Sequence, residues 1–199
     1  MHPVKWKLKS SKESYHSSHV AVFDETLIVP DRSEISFTRI NLKDFVSVVP
    51  VLKNNIVMLE VYRYPLDKWS LEVPSGHIDE NETPENCALR ELREEAGYLA
   101  RKLSSLGWYH PLTRSTQKAY IFLAEQLVNA QPSHESTEQI TIRFFPAKKV
   151  YEELIVGKIS HAPTIIGLYK FLMFRPSLLR QHEKPDCLRT KSKFESRGK

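Results

Sequence analysis

The stretch from Thr83 to Gly97 constrains this chain more than any other. Thr83 suits a helix N-cap, Pro84 the first helical position, and Gly97 the position just past the C-terminus. Between them Leu89, Leu92 and Ala96 fall on one side and predict a core face. The charged residues are harder to reconcile with a purely structural helix. Glu91, Glu94 and Glu95 are spaced i, i+3 and i+4, which puts all three within about 100° of one another. Like charges so placed cost a helix about a few tenths of a kcal/mol per pair, and near its C-terminus the macrodipole also opposes them. A divalent cation would remove the conflict, because hard carboxylate oxygens are what Mg²⁺ or Mn²⁺ takes. Arg90, beside Glu91 and one turn from Glu94, is placed to hold a carboxylate by a bidentate pair. Taken alone, such a hexapeptide is more often a solvated, charge-laced helix face. The flanking residues decide.

Upstream, β-formers alternate with turn residues. Val20-Ala-Val-Phe23 and Thr26-Leu-Ile-Val29 flank Asp24-Glu25, and Ile35-Ser-Phe-Thr-Arg-Ile40 follows Pro30-Asp31-Arg32-Ser33, which predicts a small antiparallel meander over residues 15–40. Strands at 45–49 and 56–62 are separated by Lys53-Asn54-Asn55, a hairpin turn, and 71–73 is a short strand ended by Pro74-Ser75-Gly76. Downstream, strands are predicted at 105–110, 118–127 and 139–145, then helices at 147–156 and 163–174. Strands, one helix, strands and then helices make an α+β or sandwich arrangement rather than βαβ alternation. Tyr64, Trp69, Trp108 and Tyr109 read as core aromatics, and Cys87, with no basic residue immediately beside it, as packing rather than nucleophile.

Extended to Gly76–Tyr98, the pattern is Gly76, five residues, Glu82, seven residues, then Arg90-Glu91-Leu92-Arg93-Glu94-Glu95-Ala96-Gly97-Tyr98. It resembles the Nudix box at every specified position. From average residue frequencies, a chance match in a chain this long is on the order of 10⁻⁷. The resemblance implies a Nudix fold: α+β, an α/β/α sandwich with a mixed sheet, whose box forms a loop–helix–loop. It implies that Glu91, Glu94 and Glu95 hold one or more divalent cations, Mg²⁺ or Mn²⁺, with Glu94 and Glu95 matching the central ligands. The residue matching Arg90 orients a glutamate, and the one matching Glu82 supports the loop or a further metal, close to substrate. Gly76 and Gly97 match structural glycines that permit tight backbone turns, and Gly76 joins the implied metal set. The implied reaction is attack of a metal-activated water on a phosphorus of a nucleoside diphosphate linked to another moiety.

The likeness extends beyond the box. Tyr62-Arg63-Tyr64-Pro65 and Leu71-Glu72-Val73-Pro74-Ser75-Gly76 resemble segments of the ADP-ribose and nucleoside diphosphate sugar pyrophosphatases, as do Pro111 and Gly157-Lys158-Ile159-Ser160-His161-Ala162. By that resemblance Glu72 can join the metal site, and Arg63 would meet phosphate or ribose. Residues 1–43 would form a strand subdomain that pairs the subunits of a homodimer, 44–175 the hydrolase domain, and 176–199 a basic, disordered tail. The chain departs from the branch at Glu60-Val61, where Arg-Gln is usual, and at His110-Pro-Leu-Thr-Arg114, where Arg114 would compensate as a substrate contact. A glutamate on a loop outside the box often serves as base in this branch, and Glu135 and Glu138 occupy the matching stretch.

Composition narrows the remaining classes. The net charge of +5 looks like a nucleic-acid signal, but it sits at the ends: Lys5, Lys7, Lys9 and Lys12 at one, seven basic against three acidic residues in 176–199 at the other. The body between is mildly acidic, so nucleic acid is not the expected partner. The first residues carry no apolar run of a secretory leader, no stretch approaches a membrane span, and Cys87 and Cys187 are too few for a disulfide framework, so the expected location is cytoplasmic. The reading is a pyrophosphohydrolase of ADP-ribose or a related nucleoside diphosphate sugar. Two alternatives stay open: hydrolysis of another diphosphate (a dinucleotide polyphosphate or an RNA 5′ end), and a Nudix domain that senses a ligand without turnover.

Overall fold

The computed structural model describes residues 4–131 and 139–175. Its first three strands, β1 (Lys7–His16), β2 (Val20–Ile28) and β3 (Glu34–Leu42), form an antiparallel sheet in that order. This meander differs from expectation in two ways. β2 runs unbroken through Asp24 and Glu25, because both acids find partners across the sheet. Asp24 lies opposite Lys12, and buried Glu25 accepts hydrogen bonds from Arg39 Nε at 2.8 Å and Ser11 Oγ at 3.2 Å. β1, in turn, occupies residues that read as a basic solvated end. Every one of its side chains is exposed, so no apolar periodicity marks it as a strand, and pairing with β2 is what orders it.

The second sheet is mixed. β4 (Phe45–Leu52) and β5 (Asn55–Arg63) form the expected hairpin, with Lys53 at φ 57° in its turn. β6 (Lys68–Glu72), β7 (Ser75–His77), α1 (Pro84–Ala96), β8 (Tyr98–Tyr109), β9 (Ala119–Asn129), β10 (Ile140–Pro146), α2 (Ala147–Ile155) and α3 (Ala162–Phe174) follow. The main path runs β10-β5-β4-β9-β8, with β4 and β9 parallel, β6 on β5 and β7 on β4. β8 starts well before residue 105, where it was expected. Charges mask its first half, where Lys102 faces Glu125 across the ladder at 2.8 Å.

Helices cover both faces. Cys87, Ala88, Leu92 and Ala96 of α1 pack on Val46, Val48, Val57 and Leu59, while Val150 and Leu154 of α2 and Leu168 and Phe171 of α3 pack on Val49, Ile56, Met58 and Leu123. Successive residues of β4 and β5 thus feed opposite layers, which is why both strands read as continuous apolar runs. This is the α/β/α sandwich expected. Leu89 is only partly buried, its core place taken by Cys87 and Ala88. The aromatics expected in the core are mostly outside it: Tyr64, Trp69 and Trp108 are 84%, 52% and 51% exposed. They sit at strand ends and in a 3₁₀ turn, where the sheet has no covering layer. No helix among the described residues is long and apolar enough to cross a membrane.

The central hairpin does not stay zipped. β4 faces β5 only through Val51–Ile56 and Leu52–Asn55. Further along, residues 45–47 of β4 pair with β7, and residues 59–63 of β5 pair with β6. The two strands fork, and the chain filling the fork, residues 72–77, carries the site.

Candidate active site

α1 is built as its ends predict. Thr83 Oγ1 accepts the Asn86 N–H at 3.2 Å, Pro84 opens the helix, and Gly97 closes it at φ 71° with its N–H on Arg93 O at 3.0 Å. On its polar side Arg90 gathers three glutamates. It donates to both Glu82 oxygens at 2.9 Å, to Glu91 Oε1 at 2.7 Å, to Glu94 Oε2 at 3.2 Å and to the His77 carbonyl at 3.0 Å. The anticipated bidentate pair therefore forms with Glu82, across the loop, rather than with a helix glutamate. Arg90's hydrogen bonds hold the Glu82 carboxyl down to about 2, and Glu82 also accepts the Asp79 N–H, so it ties the loop to the helix. Burial pushes the Cys87 thiol up, in keeping with a packing role.

Gly76 and the helix meet at van der Waals contact. A Cβ on Gly76 would lie 1.9 Å from Glu91 Oε1, so the glutamate carboxylate occupies the space any side chain would need. Gly76 lies in β7 without a left-handed φ, and close approach, not a tight turn, is what requires glycine here. Gly97 does take the left-handed turn. One residue before Gly76, the Ser75 N–H donates to Glu95 Oε2 at 2.8 Å, which pins β7 to α1.

The other side of the fork holds a buried carboxylate. Glu72, whose side chain is 2% exposed, accepts from Arg63 Nε at 2.9 Å and Nη2 at 2.5 Å, and lies 3.2 Å from His161 Nδ1. Burial raises its pKa, but the Arg63 hydrogen bonds and the charges of His161 and Arg63 outweigh it and hold the carboxyl below its usual range. Burial pushes His161 down, against the pull of Glu72. Burial, with Lys43 and His19, also pushes His77 down.

These walls enclose a cavity of about 460 Å³. Glu91, Glu95 and Gly76 line it from α1 and β7, Arg63 from β5, and His161 and Pro163 from the start of α3. Of the residues predicted for the site, Glu72 touches this wall through Arg63 and His161, and Glu94, 29% exposed and paired with Arg90 and Arg93, does not line it. Glu82 is under the loop. Arg114 points elsewhere: its guanidinium lies 4.7 Å over the Phe37 ring and donates to Thr38 O, bracing the three-stranded sheet. Glu135 and Glu138 lie outside the described residues. Sequence reasoning missed His77, Gln117 and His161, all on the cavity wall. Gln117 is buried, with its amide on Lys43 O at 2.5 Å. His77 and His161 lie within stretches that carry the resemblance, but no local feature gives them or Gln117 a place on the wall; the β4–β7 pairing and the packing of α3 bring them in.

The oxygen-only donors Glu72, Glu91, Glu94 and Glu95 fit a hard divalent cation in kind. Among the described residues, however, no three His, Cys, Asp or Glu side chains converge closely enough to hold one. Each carboxylate is instead turned to a protein donor: Glu91 to Arg90, Glu95 to Ser75 and Glu72 to Arg63.

A glutamate-bearing helix tucked under a glycine at the fork of a mixed sheet defines the class of domain, and residues 41–165 match the family model of the NUDIX domain. The chain belongs to the Nudix family. It is 36% identical over 87 residues to an ADP-ribose pyrophosphatase of Bacillus subtilis, covering 43% of this chain and 47% of that one. It is 32% identical over 126 residues to the CMP-5'-(N-acetyl-N-hydroxy-3-aminopropyl)phosphonate hydrolase of Streptomyces rubellomurinus, covering 63% and 61%. An ADP-sugar pyrophosphatase of Mus musculus is 43% identical over 60 residues, 28% of each chain. The chain thus spans less than two thirds of the length of each of these relatives. A crystal structure of an ADP compounds hydrolase shares the fold, with a TM-score of 0.78 over 91% of this chain and 98% of that one at 19% identity.

Proposed function

We propose that this protein is a divalent-cation-dependent pyrophosphohydrolase that cleaves ADP-ribose or a related nucleoside diphosphate sugar to a nucleoside monophosphate and a sugar phosphate. The observation that carries the reading is one cavity whose walls combine helix glutamates 91 and 95 with Arg63. Such walls suit a substrate whose diphosphate is anionic and whose charge is bridged to carboxylates by a cation. The relatives' names support it, since each describes a nucleotide joined to a further group.

Glu91, Glu94 and Glu95 would hold the cation, with Glu72 and the Gly76 backbone beside them. Bound there, Mg²⁺ or Mn²⁺ supplies a water of lowered pKa and neutralises charge that develops on the phosphates. Arg63 meets the diphosphate, and Arg90 keeps Glu91 and Glu94 turned to one side. Glu135 or Glu138 takes the proton of the attacking water. Two copies pair through the three-stranded sheet, whose β1 leaves Leu8 and Tyr15, with Trp6 just before it, more than half exposed. The protein works in the cytoplasm, in keeping with its sparse cysteines.

The test is phosphate release, after coupling to a phosphatase, from ADP-ribose, other nucleoside diphosphate sugars, dinucleotide polyphosphates and capped RNA, each with Mg²⁺, Mn²⁺ or chelator. Turnover of the sugars should need metal and fall by roughly two orders of magnitude or more in Glu94→Gln, about 2.7 kcal/mol of barrier. Turnover that survives chelator, or no turnover of any substrate, would overturn the reading.

A further inference from the structure

Gln117 is held at every polar atom but one. It stands in the loop before β9, where its backbone N–H donates to Ser115 Oγ at 3.1 Å and its carbonyl lies 2.9 Å from His110 Nδ1. The next residue, Lys118, donates its N–H to Asp44 Oδ1 at 2.7 Å and accepts the Phe45 N–H at 3.0 Å, so the loop is tied to the start of β4. The Gln117 side chain is 6% exposed and donates from Nε2 to the Lys43 carbonyl at 2.5 Å. That bond fixes which way the amide faces. A carbonyl can only accept, so the atom turned to Lys43 is the nitrogen, and Oε1 is the end left over. No donor among the described residues bonds Oε1, yet it is not sealed in the core. Among the described residues, the sealed and unpartnered side-chain oxygens are those of Ser47 and Tyr109. Gln117 lines the cavity, and Oε1 is the atom it has to offer there.

The surroundings say what Oε1 can take. Phe45 and His77, register partners across β4 and β7, line the same cavity, and neither carries a fixed charge. The fixed charges on the lining, Arg63, Glu91 and Glu95, come from β5 and α1. An ionised phosphate oxygen brings no proton and would repel Oε1, so the diphosphate does not belong against this atom. What fits is an uncharged group with an O–H or N–H to give, beside the Phe45 ring. The acceptor is also set in advance, because the Lys43 bond already holds the side chain that a ligand would otherwise have to order.

We propose that Gln117 is a specificity-determining residue: its Oε1 accepts a hydrogen bond from an uncharged donor on the sugar or base of the bound nucleotide, and so selects against ligands that lack that donor. This rests on the proposed function, in which the cavity holds a nucleoside diphosphate derivative.

The experiment uses the full chain and measures Kd by isothermal titration calorimetry, with Tm alongside and kcat/KM wherever turnover occurs. The ligands are ADP-ribose and three analogues that each remove one class of donor. Inosine diphosphate ribose replaces the base amine with a carbonyl, the 2′-deoxyadenosine counterpart lacks one nucleoside hydroxyl, and the propyl ester of ADP lacks the terminal sugar. Gln117→Met removes the oxygen at similar length, and Gln117→Lys keeps a donor for Lys43 while offering no acceptor. The wild type should bind one analogue about three- to tenfold more weakly than ADP-ribose, and in both variants that gap should largely close. The analogue whose gap closes names the donor: the inosine compound a base amine, either of the others a sugar hydroxyl. Variants that weaken every ligand by the same factor, or keep the wild-type gaps, would overturn the role of Gln117 and leave the hydrolase reading standing. Binding without turnover would sink the hydrolase reading while the affinity gaps still decide for or against Gln117. A wild type that neither binds nor cleaves any of the four would remove both.

Discussion

Replacing Gly76 with alanine isolates one contact in the site, and the structure sets its size. The new Cβ would stand 1.9 Å from Glu91 Oε1, 2.2 Å from Cδ and 2.7 Å from Oε2, distances that no packing tolerates. The backbone at Gly76 accepts alanine without strain, so sterics alone decide. Glu91 is the flexible partner and must swing away, which breaks its 2.7 Å bond to Arg90 in a place where Glu91 is 8% exposed. Losing a charge-assisted hydrogen bond there costs about 1.5–3 kcal/mol, and alanine in a strand returns about 0.5–1 kcal/mol relative to glycine. The net loss is about 1–2 kcal/mol. For a chain of this size that lowers Tm by roughly 2–8 °C in calorimetry or by circular dichroism. The decisive measurement is the same substitution in a Glu91→Ala background. With the carboxylate gone the clash is gone, and Gly76→Ala should become neutral or stabilising, a coupling of about 1.5–3 kcal/mol. If Gly76→Ala costs the same in both backgrounds, the contact with Glu91 is not what glycine serves here.

Two further outcomes follow from the helix and its loop. Arg90 depresses Glu82 to about 2 from a usual 4.5, so the pair contributes stability that is present above the usual value and lost as pH falls from about 4.5 to about 2; the stability gap between wild type and Glu82→Gln, measured by urea denaturation, should be open at pH 6 and close at the acid end of that window, and a gap that persists unchanged at pH 2 would refute it. Thr83→Ala removes the N-cap on Asn86 and should cost about 1 kcal/mol, or roughly 2–4 °C in Tm, while Thr83→Ser should cost little; equal losses in both would show that the hydroxyl is not what matters.

What could be read in advance divides by range. The caps of α1 are local chemistry, so Thr83, Pro84 and Gly97 announce the helix from within its own sequence. The two-layer cover is legible in β4 and β5, since each alternates between apolar clusters and so shows apolar residues at nearly every position. β1 is silent for the opposite reason: with all its side chains exposed, it depends on β2 for its backbone partners and leaves no pattern of its own. The candidate site shows the same split. Glu91, Glu94, Glu95, Arg90 and Glu82 carry a spacing that can be recognised. His161 does not, because its contact with Glu72 exists only once α3 has docked against the fork, and no local property of Ser160-His161-Ala162 foretells it. Arg114, a residue type suited to phosphate, lies over the Phe37 ring and donates to Thr38 O, contacts across to the three-stranded sheet that its own loop sequence does not announce.

The glutamate cluster itself supports the proposal differently from how it first reads. Three carboxylates near a helix C-terminus repel, and a cation is the obvious remedy. In the folded chain that repulsion already has a remedy: Arg90 serves Glu82, Glu91 and Glu94, Arg93 adds a second donor to Glu94, and the Ser75 N–H serves Glu95. Stability alone therefore does not call for a metal. What supports one is placement. Arg90 is drawn to the loop side by Glu82 and the His77 carbonyl, so it meets Glu91 and Glu94 from one flank. Glu91 and Glu95 line the cavity that Arg63 also lines, where an anionic substrate would need positive charge between itself and the helix. A helix optimised only to neutralise its own charges would have no reason to bring two of its carboxylates to an open cavity, still less to do so against a glycine whose missing side chain makes room for one of them.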